Sequence, residues 1–154
     1  MARIIVVDDD CIFRTFVEAV LERNGHEVLT VGVARHVVRG AREHLMRSSF
    51  DLAIVDILMP EVSGIEVIRT LKETYRRAKI LAITGGGADA GVESRLKLAK
   101  KCGADATLAK PFASVDLCRA VDQTLGLGRS RRGERSRQSG RARQVKRSTQ
   151  HVEG

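Results

Sequence analysis

With 154 residues, 43% of them hydrophobic and only 3% aromatic, the chain has material for one globular domain with an aliphatic core. No apolar run approaches the ~18–20 residues of a membrane span, and the N-terminus enters a strand after one Arg without a signal-peptide pattern, so a cytoplasmic location is expected. Of the 27 Arg and Lys, nine lie in residues 129–154 against Glu134 and Glu153, which leaves 18 basic and 17 acidic groups in residues 1–128. The formal net charge of +8 therefore belongs to the tail. Cys11, Cys102 and Cys118 are odd in number and lack ligand spacing, and read as reduced, buried thiols.

Arg3-Ile-Ile-Val-Val-Asp8 reads as a buried strand that ends in three acids, Asp8, Asp9 and Asp10. Ile12, Phe13, Phe16, Val17, Val20 and Leu21 follow at helical spacing, with Asp10 as the cap and Asn24-Gly25 as the stop. Glu27 to Val33 is a second strand, and Val37, Val38, Ala41 and Leu45 mark a second helix to about Ser48. Leu52 to Pro60 is a continuous apolar run that suits a strand buried on both faces of a parallel sheet, and it delivers one carboxylate, Asp56. Ser63-Gly-Ile-Glu66 reads as a capping box, with Ser63 accepting from the third helical N–H and Glu66 reaching back. Ile65, Ile68, Leu71 and Tyr75 carry that helix inward.

Lys79 to Thr84 is a fourth strand, broken by Gly85-Gly86-Gly87. Without a following Gly-Lys-Ser/Thr these glycines read as a mobile loop and not as a P-loop. A helix from about Ala90 to Lys101 ends at Gly103, Ala106 to Lys110 is a short fifth strand, and Ser114 to Leu125 is the last helix. Five strand-helix alternations imply right-handed crossovers and a (βα)5, doubly wound, flavodoxin-like three-layer sandwich. Its five-stranded parallel sheet takes the order 2-1-3-4-5. The domain spans residues 1–126. Residues 127–154, rich in Arg, Ser, Gln and Gly, read as a disordered basic tail.

In this topology Asp8, Asp9, Asp56, Thr84 and Lys110 meet at the carboxyl rim of the sheet, where α/β proteins bind ligands. Clustered carboxylates need a counter-charge, and hard oxygen ligands suit Mg²⁺. Lys110 adds a second positive point and Thr84 a hydroxyl donor, which makes a site for a phosphoryl group. Asp56 then has the role of carboxylate nucleophile. His26, His36, His44 and His151 lack ligand spacing and read as surface residues, while Met59 and Phe112 read as packing residues.

The pieces Val-Val-Asp-Asp-Asp (6–10), Val-Asp-Ile-Leu-Met-Pro (55–60) with Gly64, Ile-Thr (83–84) and Ala-Lys-Pro-Phe (109–112) stand in order at strand ends. In these residues, over positions 3 to about 126, the sequence resembles the receiver domains of bacterial two-component response regulators. The resemblance implies that Asp56 is the phospho-acceptor. It implies that Asp9, Asp56 and the backbone carbonyl of Leu58 hold Mg²⁺, with Asp8 helping through a water. Thr84, Gly85 and Lys110 form the phosphoryl-binding and switch set, and the bond to Pro111 is cis. The donor would be a phosphohistidine on a sensor histidine kinase or a histidine phosphotransfer protein. The downstream protein target would meet the helix 4–strand 5–helix 5 face.

There are departures from that pattern. Thr107 stands where relatives carry an aromatic switch residue, the loop after Thr84 is unusually Gly-rich, and the Thr84–Lys110 interval is long by a few residues. Leu58 is expected to overhang the site. Only 28 residues follow Gly126, fewer than the ~60 of a folded effector, so a stand-alone receiver or phosphorelay intermediate is expected. It would turn over no external substrate. Whether the phosphorylated form makes a homodimer is left open.

Two alternatives compete. A small phosphatase resembling the haloacid-dehalogenase family would use Asp8 as nucleophile and Asp10 as acid/base. A degenerate receiver would act by binding alone, with the basic tail making weak, nonspecific, salt-dependent contact with nucleic acid.

Overall fold

A computed structural model describes residues 1–32, 37, 49–85 and 91–127. The expected second helix apart from Val37, the loop glycines Gly86 and Gly87, residues 128–154 of the tail, and His36, His44 and His151 lie outside these residues. In chain order the elements are β1 (Arg3–Val7), α1 (Cys11–Arg23), β2 (Glu27–Val31) and β3 (Leu52–Asp56). Then come α2 (Gly64–Thr74), β4 (Lys79–Thr84), α3 (Gly91–Lys101), β5 (Ala106–Ala109) and α4 (Ser114–Leu125). Elements α3 and α4 are thus the fourth and fifth helices expected from the sequence.

All strand pairs are parallel and the sheet order is β2-β1-β3-β4-β5. The period of two along each strand sorts the aliphatic side chains onto two faces. Ile4, Val6, Leu52, Ile54, Leu81 and Ile83 pack with Val17 and Leu21 of α1 and Leu117 and Val121 of α4. Ile5, Val7, Ala53, Val55, Ile80 and Ala82 pack with Val67, Ile68 and Leu71 of α2 and Ala99 of α3. This is a three-layer sandwich. Central β1, β3 and β4 are almost wholly buried, and the edge strands β2 and β5 are half-exposed.

Local chemistry sets the helix ends. The Asp10 carboxylate accepts from the N–H groups of Ile12 and Phe13 at 2.9 and 3.2 Å, which confirms it as the cap of α1. Gly25, at φ 83°, supplies the left-handed turn after that helix. Ser63 caps α2, but its Oγ accepts from Ile65 N–H at 3.2 Å, the second helical amide and not the third. Glu66 N–H is directed to the Ser63 carbonyl at 2.9 Å instead, so the expected reciprocal box is a single side-chain cap. Val67, omitted from the inward-facing set, is fully buried.

Several expected boundaries are too long. β3 stops at Asp56, because Leu58 N–H folds back onto Asp56 Oδ1 at 3.2 Å and ends the extended run four residues before Pro60. β1 stops at Val7, β2 at Val31 and β5 at Ala109, so that Asp8 and Lys110 stand just past their strands. The cysteines are free, yet Cys11 is exposed at the start of α1 and the other two are only partly buried. His26 is half-buried, and its Nδ1 accepts from Ala2 N–H at 3.3 Å.

Candidate functional site

Register brings the acids together. Val7 pairs with Val55, so the residues that follow them, Asp8 and Asp56, end neighbouring strands side by side. Asp8 and Asp56 also continue the alternation of Ile4–Val6 and Leu52–Ile54, which places both on the face covered by α1 and α4. Lys110 continues Ala106 and Leu108 on that same face. Lys110 N–H bonds to Thr84 O at 2.7 Å, which ties the lysine to the end of β4, and its bond to Pro111 is cis.

One carboxylate oxygen from each of Asp8, Asp9 and Asp56 lies within 4.8 Å of the other two. Asp8 is 1% and Asp56 6% exposed, while Asp9 is exposed, so two of the three charges are buried at the floor of an acidic cluster. Lys110 Nζ sits 3.2 Å from Asp8 Oδ2 and 4.0 Å from Asp56 Oδ2. One cation does not balance this group. Burial, joined by the negative charge of Asp8, pushes Asp56 up to about 6, against the pull of Lys110 and the Leu58 N–H. Burial also raises Asp8, against the Asp10 N–H bond and Lys110. The donor set is three hard carboxylates short of positive charge, which fits a divalent cation with oxygen preference.

The backbone around the site is fixed from several sides. Asp10 N–H donates to Asp8 Oδ1 at 2.8 Å, and Arg14 Nη1 donates to the Asp8 carbonyl at 2.7 Å. The Arg14 guanidinium fills the space beside Gly32, where a Cβ would approach it to 2.8 Å. Gly64 abuts the Asp56 carbonyl and lies so close to Ile57 that a Cβ would stand 2.6 Å from the Ile57 Cα.

Other expected site residues are less engaged. Thr84 is fully buried at the end of β4, and its Oγ1 donates to Gly85 O at 3.2 Å. Its place in the alternation, with Ile80 and Ala82, is the face opposite Asp56. Gly85 lies next to Lys110, whose Cδ would be 3.5 Å from a Cβ there. Thr107 pairs with Ala82 inside β5, and Leu58 is exposed beside the acids. Met59 packs against the α2–α3 core and Phe112 against the α1–α4 core, as expected of packing residues.

Two neighbours of the site carry no motif signature in the sequence pattern. Arg14 belongs to no motif, and Phe13 stands at a core-spaced position of α1, although Lys110 Nζ lies 3.7 Å above its ring centroid. The usable signal was the spacing: Phe13 is three residues beyond the cap Asp10, in the first turn of a helix that starts at the acidic rim.

A flavodoxin-like sheet with three acids and a lysine at its carboxyl rim defines an α/β protein whose ligand site lies at the carboxyl ends of its strands. The chain belongs to the response regulator receiver domain family, whose model matches residues 4–122. It is 31% identical over 124 residues to the chemotaxis protein CheY of Bacillus subtilis, covering 80% of this chain and 97% of that protein. It is 35% identical over 128 residues to the response regulator receiver protein CpdR of Brucella abortus, covering 81% and 98%. Other relatives are longer, and the match spans only 15% to 50% of their length. A receiver domain crystal structure from Clostridium thermocellum superposes with a TM-score of 0.69 at 30% identity, covering 85% of this chain and 98% of that one.

Receiver domains exchange signals with sensor kinases or phosphotransfer proteins and with downstream targets. Family membership displaces the haloacid-dehalogenase alternative, and so does the site: the Asp10 carboxylate is committed to two helix N–H groups, and Asp56 is not idle but faces Lys110. Among the described residues no helix is long and apolar enough to cross a membrane.

Proposed function

We infer that residues 1–126 act as a phosphorylation-controlled switch in which Asp56 accepts a phosphoryl group from a partner's phosphohistidine. The single observation that supports this most is the convergence of Asp8, Asp9 and Asp56 on one point with Lys110 4.0 Å from Asp56. In the transfer, a P–O bond forms to an Asp56 carboxylate oxygen as the donor's P–N bond breaks, and the departing imidazole takes up a proton from solvent. Asp56 must be ionised to attack, and at about 6 its pKa leaves it so at neutral pH.

Asp9, Asp56 and the Leu58 carbonyl would hold Mg²⁺, with Asp8 reaching it through a water. When bound, the ion offsets the charge of these acids and of the phosphoryl oxygens. Lys110 leaves Asp8 to pair with the phosphoryl group. Thr84, released from Gly85 O, turns its hydroxyl toward the new phosphate and carries the change to α3, β5 and α4, the face offered to a downstream protein. With Thr107 in place of an aromatic, that change is transmitted by the Thr84 hydroxyl and by Lys110, whose N–H is bonded to the Thr84 carbonyl.

The test is intact-mass measurement of phosphate incorporation from acetyl phosphate with Mg²⁺. A Mg²⁺-dependent gain of one phosphoryl on wild type and none on Asp56→Asn is the expected result. Labelling that survives Asp56→Asn and disappears in Asp8→Asn would move the acceptor to Asp8. Absence of labelling from both small donors and histidine kinases would leave a receiver that works by binding alone.

A further inference from the structure

Aromatic residues are scarce in this chain, four Phe and one Tyr in 154 residues, yet three of the five gather beside the acidic rim. The Phe13 ring meets Phe112 edge-on, with centroids 5.9 Å apart and planes at 79°, and stands 6.5 Å from Phe16. Phe112 follows the cis Lys110–Pro111 bond, so the lysine and the ring that props Phe13 come from one short segment. Lys110 Nζ lies 3.7 Å from the Phe13 centroid, nearer than the 4.0 Å that separates it from Asp56 Oδ2. The Phe13 N–H is held by Asp10 at 3.2 Å, and the Asp10 N–H holds Asp8 at 2.8 Å. The ring and the lysine's carboxylate partner are therefore parts of one braced unit.

We propose that Phe13 is a positioning residue for phosphoryl transfer to Asp56, its ring face anchoring the Lys110 ammonium at the rim through a cation–π contact. This rests on the acceptor role of Asp56. The physical need is specific. An ammonium held only by Asp8 has to release that carboxylate before it reaches an incoming phosphoryl oxygen, and a long side chain set free at that moment loses its aim. A ring beneath it is an uncharged partner that remains in place throughout, and a partly desolvated ammonium is attracted to the ring's negative face. An aliphatic residue of similar bulk fills the space but offers no such face.

The full chain carries the test, with acetyl phosphate and Mg²⁺ as probe. Phe13→Leu is expected to be labelled about fivefold more slowly than wild type, and Phe13→Tyr, which keeps the face, at close to the wild-type rate. By NMR the Lys110 Hε resonances are expected upfield in wild type and Phe13→Tyr, where the ring current reaches them, and shifted back in Phe13→Leu. Phe13→Met repeats the comparison if the Leu variant does not fold. The inference is overturned if Phe13→Leu labels at the wild-type rate, if the Tyr variant is as slow as the Leu variant, or if the Lys110 resonances ignore the substitution. Wild type labelled with no effect of Phe13→Leu sinks this inference alone; wild type unlabelled at Asp56 sinks the acceptor reading as well.

Discussion

Lys110 Nζ stands closer to Asp8 than to Asp56, 3.2 Å against 4.0 Å, although Asp56 is the residue assigned the chemistry. The lysine thus serves first as counter-ion to the most buried carboxylate of the cluster. Removing it strands two buried acids. Lys110→Met is expected to lower stability at pH 7 in EDTA by roughly 1–3 kcal/mol, less than a fully buried pair because the lysine is partly exposed. Both acids then rise further in pKa, so the loss should fade as they protonate toward pH 4. Urea unfolding at the two pH values measures it, and an equal loss at both would show that the charge is not the cause.

Asp56 itself makes the fold sensitive to pH in a definite direction. Its folded-state value of about 6 lies above the ordinary aspartate value of 3.8, so the folded protein binds the proton more tightly than the unfolded chain. The stabilisation from that proton is complete below about 4 and is lost as the pH rises through about 6. In EDTA the melting temperature should fall between pH 4.5 and 7, and Asp56→Asn should flatten that fall. At pH 7 the Asn variant should be the more stable by roughly 1–3 kcal/mol. Adding Mg²⁺ should raise the wild-type melting temperature more than that of the variant, because a ligand of the folded state stabilises by mass action. A variant less stable than wild type at pH 7 in EDTA would contradict the strain assigned to this carboxylate.

Gly64 is required by closeness, not by a special backbone angle. A Cβ there would run into the Asp56 carbonyl and crowd the Ile57 Cα, both rigid backbone. Gly64→Ala is expected to cost roughly 2–3 kcal/mol and to displace the loop that carries Leu58, slowing phosphate incorporation. Thermal melts and labelling rates of the one variant report both effects. A stable variant with slow labelling would still place the clash at the site, whereas unchanged behaviour in both would refute it.

Much of this was legible because strand ends are announced by composition. Aliphatic runs that deliver Asp8, Asp56, Thr84 and Lys110 mark both the sheet and its rim, and the order 2-1-3-4-5 brings those residues together. Less legible were features that depend on side-chain direction across distant segments. The sequence shows Phe13 and Lys110 97 positions apart, and only packing of α1 against α4 stacks one on the other. The alternation that sets Thr84 on the opposite face from Asp56 was readable in principle, since it needs only the parity of buried residues along β4. Strand lengths are overestimated where apolar residues continue past the last ladder bond, from Ile57 N–H to Ile83 O, as Leu58 and Met59 do. Hydrophobic character alone does not say where the backbone turns.

Far from the rim, Asp105 provides a contrast in sign. Its Oδ2 accepts from Ile80 N–H at 2.8 Å and from Lys72 Nζ at 2.9 Å, while Lys79 Nζ lies 3.6 Å from Oδ1. Lys72 also donates to the Ala78 carbonyl at 3.0 Å, so one carboxylate joins α2, the start of β4 and the turn before β5. Burial pushes this carboxyl up, but the bonds from Lys72 and Ile80 and the charges of Lys72 and Lys79 together hold it below its usual value. A depressed carboxylate stabilises the fold above its unfolded pKa of about 4 and loses that contribution as the pH falls through the folded value. Asp105→Ala should therefore cost roughly 1–2 kcal/mol at pH 7 and progressively less below pH 4. Asp56→Asn is expected to stabilise at pH 7, with an effect that also disappears in acid, so the two variants should bracket wild type at neutrality and converge toward it at low pH. Chemical denaturation of the three proteins in EDTA from pH 3 to 7 tests the pair together, and parallel pH profiles would refute the opposed shifts.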